Sequence, residues 1–252
     1  MKISEPTIAK PPPAANGKKD ATRVLIVDDH PLLRKGVSQL IDQEKDLMVV
    51  GEAEDAQKAI TAIETTKPDV ALIDITLSGA SGIELLKDVK ARFPKVKMLV
   101  LSMHEESVYA QRALRAGASG YIMKQEGAEK VLTALRRVLK GEVYLSERMG
   151  NRVLHTLVNG RDSLASSPVE ELSDRELEVF SLIGQGLGTR PIAEKLHLSV
   201  KTIESHRAHI KEKLNLKSAS ELVHHAIQWA QSERALSGAG GGAAPSEPAE
   251  SF

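Results

Sequence analysis

The sequence predicts two folded parts of different class, an α/β domain built on a five-stranded, doubly wound parallel sheet and then an all-α domain of four short helices. Three observations carry this. Short β-rich runs alternate with amphipathic stretches up to about residue 140, and no strand of comparable quality follows. Val24-Leu25-Ile26-Val27 and Val70-Ala71-Leu72-Ile73 are continuously apolar, the pattern of strands buried on both faces. The length, 252 residues, fits two modest domains at about 100–200 residues each.

In order, the first part predicts a strand at 23–27, a helix at 31–43, a strand at 48–52 and a helix at 56–65. A strand at 69–73, a helix at 83–92, a strand at 97–101, a helix at 105–116, a strand at 120–122 and a helix at 127–140 follow. Each strand–helix–strand crossover is right-handed, which places helices on both faces of the sheet. The second part opens with a helix at 147–158 and a polar stretch at 159–171 containing Pro168. Ser173-Asp174-Arg175-Glu176 has capping-box spacing before the apolar Leu177, Phe180, Leu182 and Ile183. Gly184–Gly188 ends that helix, 191–196 forms a short one, Ser199 caps one running to about Leu214, and Ser218 opens the last, to Gln231. The short connection His197-Leu198-Ser199 between the second and third of these four gives a helix-turn-helix layout. The domains are therefore expected at 22–141 and 170–234, joined by a helical and polar linker at 142–169. Residues 1–21, with Pro11-Pro12-Pro13, and 235–252, rich in Gly and Ala, are expected to be disordered tails.

Composition excludes several functions. The chain has no cysteine, so disulfides, thiol catalysis and Cys-based zinc sites are absent. No apolar run approaches the roughly 20 residues of a spanning helix, and the first residues carry no signal-peptide pattern, so a cytoplasmic location is expected. With 34 acidic and 34 basic residues, any nucleic-acid binding must come from a local patch.

Ligands of such sheets bind at the carboxyl ends of the strands. Asp28 and Asp29 follow the first strand and Asp74 follows the third. Three carboxylates converging there repel one another unless a hard cation lies among them, and oxygen ligands with an incomplete protein shell suit Mg²⁺. Ser102 at the end of the fourth strand adds a hydroxyl, and Lys124 after the fifth adds an ammonium. Together these groups make a phosphoryl-accepting site. Alone, Asp28-Asp29 would read as a turn or helix cap and Ser102 or Lys124 would carry almost no signal; the joint placement at four strand ends is what points to phosphate chemistry.

The segments Val24–Pro31, Asp69–Asp74, Leu101-Ser102 and Gly117–Lys124 resemble the receiver domain of bacterial two-component response regulators, whose sheet is flavodoxin-like. The resemblance implies Asp74 as phosphoacceptor and Asp29 as a direct Mg²⁺ ligand. It further implies that Asp28 holds a metal-bound water and that Thr76 offers its backbone carbonyl. Ser102 becomes the switch hydroxyl, Lys124 the phosphate partner, and Tyr121 an aromatic that swings inward when Ser102 moves. Two positions depart from the family pattern: Leu77-Ser78-Gly79 stands where Met-Pro-Gly is usual, and Gln125 stands where proline allows a cis bond after the lysine.

In the second domain, 170–234 holds 9 basic and 10 acidic residues, so DNA binding must rest on placement along one helix. Val200, Ile203, Ile210 and Leu214 share a face that docks inward, leaving Lys201, Thr202, Ser205 and His209 outside and Arg207 at the flank. Such an outer face suits the major groove. Leu172–Val179, Gly184-Gln185-Gly186, Ile192–Leu196 and Ser199–His206 resemble the LuxR-type helix-turn-helix, and with the receiver they place the chain among NarL/FixJ-type regulators. By that resemblance Lys201, Thr202, Glu204, Ser205, His206, Arg207 and Lys211 lie at or near DNA. Arg190 contacts a phosphate, while Ile192, Ala193 and Val200 pack the two helices together. The last helix is expected either to close the core or to form a dimer contact. A sensor histidine kinase, promoter DNA and a second copy of the chain are the implied partners.

The function expected is a phosphorylation-controlled transcription regulator, not an enzyme. The alternative, a Mg²⁺-dependent phosphotransferase or phosphatase using the same aspartates, needs a general acid two residues beyond the nucleophile, and that position holds Thr76. A phosphorylation-independent module is expected to lose Asp74 or Lys124, and both are present.

Overall fold

The structure, a computed structural model, describes residues 21–77, 80–159 and 168–238. Residues 1–20 of the tail expected at 1–21, residues 239–252 of the tail expected at 235–252, linker residues 160–167, and residues 78–79 lie outside the described residues. The chain forms two compact units. One comprises the residues through Leu101 together with Ala116–Tyr144; the other comprises Ser102–Arg115 together with the chain from Leu145 onward.

In chain order the elements begin with β1 (Thr22–Val27), α1 (Pro31–Asp42), β2 (Leu47–Ala53), α2 (Ala56–Thr66), β3 (Val70–Ile73), β4 (Thr76–Leu77), β5 (Ala80–Ser81) and α3 (Gly82–Arg92). They continue with β6 (Lys97–Ser102), α4 (Glu106–Arg115), β7 (Gly120–Met123) and α5 (Ala128–Leu139). The main sheet runs β2-β1-β3-β6-β7, the doubly wound order expected, with β1 parallel to β2 and β3, and β3 parallel to β6. Local chemistry sets the helix ends. Pro31 opens α1 at a position that needs no donor, Asp55 accepts the Lys58 N–H to start α2, and Ser81 accepts from Ile83 to start α3. Lys67 ends α2 in the left-handed region at φ 46°.

Val24, Ile26, Leu72, Leu99 and Ile122 of the strands pack with Val37 and Ile41 of α1 and Leu135 and Val138 of α5 into one buried core. At roughly 1.5–3 kcal/mol per buried aliphatic side chain, this core holds the strand ends in place. Two features escape periodicity. The hairpin β4–β5 pairs Thr76 with Ser81 just beyond Asp74, and Tyr144, expected in the linker, makes an isolated bridge to Gly120. Both are too short for alternation to show. No peptide bond among the described residues is cis, including that after Lys124.

The second unit adds α6 (Glu147–Asn159), a 3-10 turn at Pro168–Glu171, α7 (Asp174–Gly184), α8 (Thr189–Lys195), α9 (Val200–Lys213) and α10 (Ala219–Gly238). The expected capping box forms in full: Ser173 accepts from Glu176 N–H and the Glu176 carboxylate accepts from Ser173 N–H. Helix α8 starts two residues earlier than expected, because Pro191 is tolerated anywhere in the first turn. Helix α10 runs to Gly238, so the start of the expected C-terminal tail is helical; the Gly/Ala composition that suggested disorder does not forbid a further turn on an established helix. Leu177, Phe180, Ile183, Ile192, Ile203, Ile210, Leu222 and Ala226 are buried in this unit.

Candidate functional site

Three strand ends of the first unit converge on an acidic pocket. Asp28 and Asp29 follow β1, Asp74 follows β3 and Lys124 follows β7. The sheet fixes the backbone here, since Asp28 N–H donates to Ala53 carbonyl at 3.0 Å and Asp74 N–H donates to Val27 carbonyl at 2.9 Å. Lys124 Nζ lies 2.7 Å from Asp28 Oδ2 and 2.7 Å from Asp74 Oδ2. All three groups are buried, with side-chain exposures of 5% or less. The Thr76 N–H donates to the other Asp74 oxygen at 3.1 Å.

Burial pushes the Asp74 carboxyl up to about 6, with the Asp28 charge adding to the shift and Lys124 opposing it. Burial works against the Lys124 ammonium, but Asp74 and Asp28 outweigh it and hold its pKa above the usual lysine range. Asp28, Asp29, His30 and Asp74 offer ligand atoms that all lie within 4.8 Å of one another. Three hard carboxylates in that space, on a buried group that resists ionisation without a cation, fit the coordination chemistry of Mg²⁺.

His30 went unnoticed as a site residue in the sequence, although it directly follows the aspartate pair. Its Nδ1 sits 2.7 Å from Asp29 Oδ1 and 3.2 Å from Asp28 Oδ1, and its N–H donates to Asp28 Oδ1 at 2.8 Å. Arg34 Nη1 donates to the Asp28 carbonyl at 2.5 Å. Gly82 is the other omission: a Cβ there would lie 2.3 Å from the Asp74 carbonyl oxygen and 2.6 Å from Ile75 Cα, so only glycine lets α3 begin against the Asp74 loop. A lone Gly at a helix start carries no such signal in the sequence.

Ser102 closes β6, is fully buried, and its Oγ accepts from His104 N–H at 3.1 Å. Tyr121 on β7 is 1% exposed, so the ring is already inside. The expected inward swing therefore does not describe a change from this structure, because the ring has no exposed position to leave.

On α9, Lys201, Glu204 and Ser205 are exposed, while Thr202, His206, Arg207 and Lys211 are half-buried; Arg190 on α8 is exposed. Ser199 caps the helix, its Oγ 2.7 Å from Thr202 Oγ1. Burial, with Arg175 nearby, lowers the His206 pKa, and burial lowers that of Arg207. Ile203 and Ile210 of α9 are fully buried, Ile192 and Ala193 of α8 are buried as well, and the two helices pack against each other. Val200, expected between the two helices, is 40% exposed, so at the first turn of α9 it is only partly covered. Lys213, with its side chain 38% exposed, pairs with the buried Glu176 carboxylate at 2.6 Å. Although burial acts in the opposite direction, that contact and the cap lower the Glu176 pKa.

A buried lysine between two aspartates at the carboxyl edge of a doubly wound sheet, with a helix-turn-helix unit after it, defines a phosphoryl-accepting regulator joined to a DNA-binding module. The comparisons agree. Residues 24–136 match the response regulator receiver domain, and residues 170–226 match the bacterial regulatory proteins of the luxR family. The oxygen regulatory protein NreC of Staphylococcus haemolyticus is 39% identical over 210 residues, covering 82% of this chain and 97% of that protein. RcsB of Salmonella enterica serovar Typhimurium, bound to promoter rprA in the presence of phosphomimetic BeF3⁻, aligns with a TM-score of 0.55 at 27% identity, over 82% of this chain and 98% of that one. A LuxR-family two-component response regulator from Aurantimonas sp. SI85-9A1 aligns with a TM-score of 0.51 at 33% identity, over 55% of this chain and 99% of that one. The chain belongs to the two-component response regulators that carry a receiver and a LuxR-type DNA-binding domain, which are phosphorylation-controlled transcription regulators and not enzymes. No helix among the described residues is long and apolar enough to cross a membrane.

Proposed function

We propose that Asp74 is the residue that accepts the phosphoryl group, from a sensor histidine kinase or a small phosphodonor, and that this controls promoter binding through α9. The observation that carries the reading is the Lys124 ammonium held at 2.7 Å from both Asp28 and Asp74. A carboxylate oxygen of Asp74 attacks phosphorus as the donor's own bond to phosphorus breaks, P–N in a phosphohistidine or P–O in acetyl phosphate, and imidazole or acetate leaves. Lys124 then exchanges one of its carboxylate partners for a phosphoryl oxygen, and the Ser102 hydroxyl donates to another. Asp28, Asp29, Asp74 and the Thr76 carbonyl would hold Mg²⁺, which when bound supplies charge that neutralises the incoming phosphate.

The receiver takes residues 22–141 and the DNA-binding domain 170–234, with 142–169 between them. Arg190, Lys201, Thr202, Glu204, Ser205, His206, Arg207 and Lys211 face DNA, and the regulator works as a homodimer in the cytoplasm. Exposure of Lys201, Glu204 and Ser205 along one side of a capped, well-packed helix supports this placement. The test is capture of fragmented genomic DNA by the full chain with and without acetyl phosphate and Mg²⁺, followed by sequencing. Enrichment of discrete promoter fragments that depends on Asp74 supports the reading. Phosphodonor-independent, sequence-indifferent capture overturns it.

A further inference from the structure

The first unit carries a groove at the sheet edge opposite the acidic pocket. It opens where β3 and β6 begin, whereas Asp74 follows the far end of β3. Two loops form it, one leading from α2 into β3 and one from α3 into β6, and its volume is about 530 Å³. Ile63 and Pro68, both buried, and Phe93, Pro94 and Val96 give it an apolar lining.

Backbone hydrogen bonds hold both loops. The Asp69 N–H donates to the Arg23 carbonyl at 2.9 Å and the Lys97 N–H to the Asp69 carbonyl at 3.0 Å, which ties the loops to the sheet and to each other. The Arg23 guanidinium donates to the Thr66 and Lys67 carbonyls at the end of α2, and the Val96 N–H closes the second loop on the Phe93 carbonyl at 3.0 Å. A ligand entering this groove therefore has little backbone to order.

The charges at its mouth are unequal: Lys67, Arg92 and Lys95 stand there with one carboxylate, Glu64. Arg92 is engaged, since its Nη2 donates to Glu64 at 2.5 Å and its guanidinium lies 5.2 Å from the centre of the Phe93 ring. The carbonyls that end α2 already have Arg23 as their cation. Lys67 and Lys95 are exposed and pair with no carboxylate among the described residues. An apolar slot beside two uncompensated ammoniums is complementary to an apolar body that carries a carboxylate. Its size falls within the roughly 300–1,000 Å³ of small-molecule sites. Five apolar side chains fall far short of the roughly 20–30 residues a side of a protein interface.

We propose that this groove binds a small amphipathic carboxylate, its apolar body against Ile63, Pro68, Phe93 and Val96 and its charged end between Lys67 and Lys95. The site is separate from the acidic pocket and does not depend on the phosphoacceptor reading.

Amide chemical shifts of the full chain, titrated with octanoate, test it. Octanoate should move residues 63–68 and 92–96 saturably, with a Kd on the order of 1 mM. 1-Octanol, the same chain without the charge, should bind about fivefold more weakly, the scale of two exposed ion pairs. Lys67→Gln combined with Lys95→Gln should bind octanoate about fivefold more weakly and 1-octanol as the wild type does. Equal wild-type affinities for octanoate and 1-octanol overturn the proposal, and so does an unchanged octanoate affinity in the double variant. The absence of saturable shifts at these residues up to about 10 mM octanoate also overturns it. Shifts of the same residues that depend on protein concentration alone assign the groove to a second copy of the chain, and tighter binding of the peptide Glu-Glu-Phe assigns it to an acidic peptide; either result replaces the small carboxylate as the occupant.

Discussion

Lys124 is the residue on which the pocket turns, because its buried ammonium lies 2.7 Å from a carboxylate oxygen of both Asp28 and Asp74. Asp74 has a pKa near 6 against 3.8 for an unperturbed aspartate, chiefly through burial. The folded chain therefore holds this proton more tightly than the unfolded chain, so the stability linked to it is present below about pH 4 and lost as pH rises through about 6. Urea unfolding of the metal-free protein should show Asp74→Asn gaining on wild type between about pH 4 and pH 7, by at most about 3 kcal/mol. Added Mg²⁺ should narrow that gap at pH 7. A pH-independent gap would count against the buried, ionisable Asp74. The same variant should take up no phosphoryl group from acetyl phosphate by intact-mass measurement, since an amide is no nucleophile here; uptake at the wild-type level would move the acceptor elsewhere.

Among the elements, α3 and α9 each have one feature that decides their use. Helix α3 starts where only Gly82 fits, 2.3 Å from the Asp74 carbonyl once a Cβ is added. Gly82→Ala should cost about 1–3 kcal/mol in chemical denaturation through overpacking against backbone, and should slow phosphoryl uptake because the Asp74 loop must shift. A variant with wild-type stability and uptake would show the loop to be yielding. Helix α9 presents Lys201 to solvent and keeps Arg207 half-buried. Lys201→Ala should lower the salt slope of DNA binding by about one unit, whereas Arg207→Ala should act more through helix packing, lowering thermal stability as well as affinity. Equal salt slopes for wild type and Lys201→Ala would take that side chain off the phosphate backbone.

For the whole molecule, the family membership joins a phosphorylation pocket to a DNA-binding unit, and the coupling is the property to measure. Full-length protein should gain affinity for its captured promoter fragments on treatment with acetyl phosphate, and Asp74→Asn should show no gain. Equal affinity before and after phosphorylation confirmed by mass would dissolve the coupling while leaving both domains in place.

The sequence by itself determined the strand-and-helix order, the carboxylates at the strand ends and the Ser173 capping box. Those features are written in local periodicity and in residues next to one another: Val24–Val27 must be a buried strand, and Asp28-Asp29 must then sit at its end. The tertiary structure alone decided that Lys124 reaches both Asp28 and Asp74 across separations of 96 and 50 residues. It also decided that Gly82 is forced by a carbonyl eight residues earlier in the chain, that Tyr121 is already inside, and that Val200 stays exposed. Arg112 belongs to the same class, since its partners lie 57 to 62 residues onward. Periodicity says which face of an element is buried, but which polar atoms meet depends on how elements far apart in the chain pack, and no local pattern encodes that distance.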